Sequence, residues 1–82
     1  MNDHQDSEHF TYDRTWEQIH SLLGKAEREQ NMHFVEMSIV GISKKKRMMH
    51  MRNYKALQGV ITSMRWVLGD LNIHTDTVLG RD

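Results

Sequence analysis

Cysteine and proline are both missing from the chain, and each absence closes off a class of structure. Without cysteine there are no disulfides, no thiolate metal ligands and no cysteine nucleophile. A small domain then has self-association as its main remaining way to supplement its core, and a reducing, cytoplasmic setting is expected. Without proline nothing forces a helix to kink or stop, which favours long uninterrupted helices and an all-α fold. No apolar run approaches the roughly 20 residues needed to span a bilayer, and the acidic start Met1-Asn2-Asp3-His4 does not resemble a signal peptide. No membrane association is expected.

Catalytic signatures are missing as well. The sequence has no glycine-rich phosphate loop, no HExxH, no GxSxG and no paired carboxylates in an evident cleft. Two helices also enclose little concave volume for a substrate. The expectation is a protein that is not an enzyme and has no cofactor.

What is present begins with charge. The formal net charge is zero, but residues 1–43 hold eight acids against three bases, a balance of −5, and residues 44–82 hold eight bases against three acids, a balance of +5. The two halves are electrostatic complements. Seven methionines against two phenylalanines point to an adaptable apolar surface, because the unbranched thioether repacks readily against different neighbours.

Residues 1–12 are polar apart from Phe10 and Tyr12, and they read as a flexible acidic tail. The hairpin domain is expected over 13–72. Asp13 or Thr15 can cap a first helix, with Gln18 three residues after Thr15 as in a capping box. Trp16, Ile19, Leu23, Ala26, Gln30, His33, Met37 and Val40 then follow at steps of three and four, which keeps them on one face. Gly41 followed by Ser43 reads as a C-terminal cap and a new N-cap, placing a tight turn at 41–43. Beyond it Arg47, His50, Tyr54, Leu57, Ile61, Met64, Leu68 and Leu71 repeat the spacing. The pattern predicts an antiparallel helical hairpin with helices about 14–40 and 44–71, followed by an extended C-terminal tail over 73–82. A rival reading makes 34–40 a strand, since β-branched residues partly alternate with polar ones there.

Folding at the turn sets Trp16 against Leu68, Ile19 against Met64, Leu23 against Ile61 and Ala26 against Leu57. Gln30 then meets Tyr54 and His33 meets His50, so the polar interruptions of both helices share layers. The same register offers ion pairs Arg14–Asp70, Glu17–Arg65, Glu29–Lys55 and Glu36–Arg47, against two like-charge meetings, Asp13–Asp70 and Arg28–Lys55.

The seam leaves apolar residues over. Leu22, Met32, Phe34, Val35 and Ile39 on the first helix, and Met48, Met49, Met51, Val60, Trp66 and Val67 on the second, have no place in it. Such a surplus marks an interface, and it predicts a four-helix bundle or larger homo-oligomer together with capture of a protein partner. An alternative uses Lys44, Lys45, Lys46, Arg47, Arg52 and Lys55 as a nucleic-acid or nucleotide site. The zero net charge and the lack of interleaved aromatics favour a solvated turn over that alternative. His33 facing His50 offers two metal ligands where zinc takes four, so a polar layer that sets register is the expectation there.

Overall fold

The computed structural model describes residues 13–81, so the acidic tail expected at 1–12 lies outside the described residues. Three helices follow in order: α1 Trp16–Met37, α2 Lys44–Val67 and α3 Thr75–Val78. No strand occurs among the described residues, and positions 34–37 complete α1. No helix among them is long and apolar enough to cross a membrane.

Helix α1 starts at the capping box. The Thr15 hydroxyl accepts from the Gln18 backbone N–H at 3.0 Å, and the Gln18 side-chain oxygen accepts from the Thr15 N–H at 3.0 Å. Glu17 adds a negative charge in the first turn, where the helix dipole favours it. The helix stops at Met37, earlier than the expected residue 40. Ser38 caps it, its hydroxyl donating to the Phe34 carbonyl at 3.0 Å. Two β-branched residues, Ile39 and Val40, follow and disfavour another turn. The link therefore spans 38–43 rather than 41–43. Gly41, at φ +87, turns the chain inside the link instead of capping α1.

Ser43 begins α2 as expected, accepting from the Lys46 N–H at 3.2 Å. The helix ends in a Schellman motif: Gly69 at φ +92 donates to the Trp66 carbonyl at 3.0 Å, and Asp70 donates to the Arg65 carbonyl at 2.9 Å. This stop at Val67, short of the expected residue 71, puts Leu71 outside the seam at 93% exposure.

The tail expected to be extended instead forms α3. Asp70 accepts from the Asn72 N–H at 2.9 Å to bend the chain, and α3 then folds back on α2 without touching α1. Val78 and Leu79 face Trp66 across a hollow of about 240 Å³, and that apolar contact rewards a local helix over an extended run. An ion pair from Arg81 to Asp76, at 3.1 Å, closes the last turn.

The long helices pack antiparallel in the expected register, but the core is small. Leu23, Ala26 and Ile61 are buried, Leu57, Met64 and Leu68 pack partly buried against them, and no side chain is fully enclosed among the described residues. Trp16 and Val40, both assigned to the seam by spacing, are 63% and 98% exposed. Trp16 is the first residue of α1, and Val40 lies beyond its end.

The cap contact yields a stability prediction. Thr15→Ala removes half of the capping box and costs about 1 kcal/mol, lowering the melting midpoint by roughly 4–8 °C in a thermal scan followed by circular dichroism.

Candidate functional site

Two polar layers cross the seam on the loop side of the core. In the first, the Gln30 amide donates to the Gln58 side-chain oxygen at 2.7 Å and lies 3.4 Å from the Tyr54 carbonyl oxygen. The Gln58 amide donates onward to the Thr62 hydroxyl at 3.2 Å, and that hydroxyl donates to the Gln58 carbonyl at 2.7 Å. Thr62 is buried, and this chain satisfies it. Gln58 and Thr62 were not singled out by the spacing. The available signal was their position four and eight residues after Tyr54, along the flank that Gln30 reaches.

In the second layer His33 is 7% exposed and His50 half-buried. Their Nδ1 atoms lie 2.9 Å apart, with ring centroids at 5.2 Å and planes tilted by 46°. One ring nitrogen must donate its hydrogen and the other accept it. That bond uses the lone pair that one ring would give a metal, and no group of three or more His, Asp or Glu among the described residues is arranged to hold an ion. The layer joins the two helices through this one side-chain hydrogen bond.

The eleven apolar residues left over by the seam are all exposed. They divide between two sides of the hairpin and its back. On one side, Leu22 and Val67 line an open groove of about 390 Å³ with Arg14, Gln18, Ile19 and Met64. At the loop end of that side, Ile39 lines a second groove of about 410 Å³ with Glu36, Lys46 and His50. On the opposite side Phe34 meets Tyr54, with ring centroids 6.2 Å apart, and shares a hollow with Glu27 and Asn31. Met32 lies farther round α1 on the Leu22 side, over a shallow surface with Lys25 and Glu29 that borders Arg28 on the back.

The ion pairs differ from those expected. Arg65 bonds Glu27 on α1, and also lies 3.9 Å from Asp70 beyond its own helix end. None of the pairs Arg14–Asp70, Glu17–Arg65, Glu29–Lys55 and Glu36–Arg47 forms among the described residues. Exposed charges gain little from pairing, so local side-chain reach decides which contacts form.

All six bases of the basic segment are exposed and make no ion pair among the described residues. They do not converge. By helical geometry Lys44, Lys45, Arg52 and Lys55 lie on the outer face of α2, while Lys46 and Arg47 flank the seam on opposite sides. The first turn of α2 carries no acid, so these charges oppose its dipole.

No protein-family model matches the chain, and comparison with curated proteins and with solved structures yields no match.

The histidine layer is testable by a double-mutant cycle. His33→Ala leaves His50 without its partner and opens space beside it, costing about 1–3 kcal/mol in urea unfolding. His33→Leu combined with His50→Leu replaces both polar groups and costs less than the sum of the single changes.

Proposed function

We propose that the chain is a non-enzymatic interaction and assembly protein, acting by homo-oligomerisation and by binding a protein partner through its methionine- and aromatic-rich surface. One observation carries this reading. Three apolar side chains are buried in the described residues, while eleven large ones outside the seam stand exposed on the hairpin and its loop. A lone hairpin leaves that surface in water, and roughly 25 cal/mol per Å² of apolar area favours covering it. The two grooves on the Leu22 side are open and mostly apolar-lined, in keeping with a role in association.

A second reading places a phosphate-bearing ligand at Lys44, Lys45, Lys46, Arg47, Arg52 and Lys55. Its support is the run of four exposed bases in the first turn of α2, where bound anions relieve both mutual repulsion and the opposed dipole. The splay of these bases around the helix weighs against a compact site.

Sedimentation across a salt series separates the two. Apolar assembly gives a mass above the 9.7 kDa monomer that persists at high salt. Binding of an RNA or DNA oligonucleotide through the bases weakens steeply as salt rises. A clean monomer that binds no hydrophobic dye overturns the assembly reading.

A further inference from the structure

We infer that a second copy of this chain docks antiparallel on the side of the hairpin that carries Leu22 and Val67, about a two-fold axis level with Glu27 and Gln58. The inference rests on the assembly reading and specifies its partner and face.

The face is a pair of parallel strips. On α2, Met49, Asn53, Ala56, Val60, Ser63 and Val67 alternate steps of four and three, the spacing of a coiled-coil seam. All six are exposed or half-exposed, and none belongs to the hairpin core. On α1 the matching strip is Gln18, Leu22, Lys25, Glu29, Met32 and Glu36, again at steps of four and three. The two strips share a side, because Leu22 lines one groove with Val67, and Glu36 lines the groove at the other end with Lys46.

Each strip is complementary to its own reversal. Turning α2 end for end about the level of Gln58 lays Met49 on Val67, Asn53 on Ser63 and Ala56 on Val60. Apolar residues meet apolar ones, and the polar pair falls in one layer. Turning α1 about the level of Glu27 lays Leu22 on Met32, Lys25 on Glu29 and Gln18 on Glu36. The Lys25–Glu29 pairing then occurs twice, once on each side of the axis.

The hairpin puts these two centres nearly level. Gln30 meets Tyr54 and His33 meets His50, so Glu27 and Gln58 lie within about two residues of the same height, roughly 3 Å at ~1.5 Å per residue. A single axis therefore satisfies both strips. A different protein would impose no such symmetry, whereas an isologous contact between identical copies requires it.

The area is adequate. Helices of 22 and 24 residues span about 33–36 Å at ~1.5 Å per residue. Two of them side by side present roughly 700 Å² per copy, about 1,400 Å² in total, within the range of stable interfaces. The opposite side suits this role less, since Phe34 is engaged with Tyr54 and Glu27 with Arg65 inside one chain.

Charge reversal on the full chain tests the face. Lys25→Glu and Glu29→Lys each weaken the dimer about tenfold in sedimentation equilibrium, and the double reversal restores it to within about threefold. Asn53→Cys with Ser63→Cys, in a chain with no other cysteine, oxidises to a covalent dimer, and Asn53→Cys alone does not. Circular dichroism confirms that each variant keeps its helical content. If single reversals leave the dimer unchanged, if the double fails to restore it, or if the cysteine pair stays reduced, the proposed face is overturned while a dimeric mass still upholds the assembly reading. A monomer that binds hydrophobic dye overturns the second-copy proposal and leaves capture of another protein, and a monomer that binds none overturns both.

Discussion

Two helices in contact touch along a single line, and that constraint shapes this molecule. A side chain facing the partner helix is covered from the front and stays open on both flanks, so even Leu23 and Ile61 at the centre of the seam are not fully enclosed. Apolar residues one position off the line, such as Leu22 and Val67, keep about half of their surface exposed. The third helix does little to change this, since its four residues shield part of Trp66 and leave α1 untouched. A core of three buried apolar residues among the described ones is small, and association is a usual supplement to such a core in a chain without cysteine.

Polar layers do more for register than for stability. The Gln30–Gln58 and His33–His50 bonds each require one alignment of the helices, and a slip leaves the buried His33 without its partner. Net gains from such bonds are about 0.5–1.5 kcal/mol each, but the penalty for leaving them unmade is larger. Register is therefore held by what misalignment would cost. The surface charges contribute little, because Arg65 and Glu27 remain substantially solvated while paired.

Much of the fold was legible because helix periodicity and caps are local. The spacing from Ile19 to Met37 and from Arg47 to Leu68, the Thr15–Gln18 box and the Ser43 cap all involve residues within a turn or two of each other. The matching of Gln30 with Tyr54 and His33 with His50 was legible too, since a hairpin register is settled once the turn is located. Helix ends were misjudged where periodicity ran on past a competing local bond. Ser38 and Gly69 stop their helices although Val40 and Leu71 keep the spacing. The ion pairs were misassigned because facing positions were matched by level, whereas Arg65 reaches diagonally to Glu27. The eleven apolar residues outside the spacing of the seam are all exposed.

By itself the sequence determined that the chain forms long helices, that two of them pair in one register, and which apolar residues that pairing leaves over. Each of these follows from periodicity and short-range bonding. Only the tertiary structure decided which of those residues share a side, how far the seam extends before its ends open, and that residues 75–78 fold back on α2. Those outcomes depend on packing between segments distant in the chain. The strips on α1 and α2 become one face only when the seam fixes their relative rotation and height.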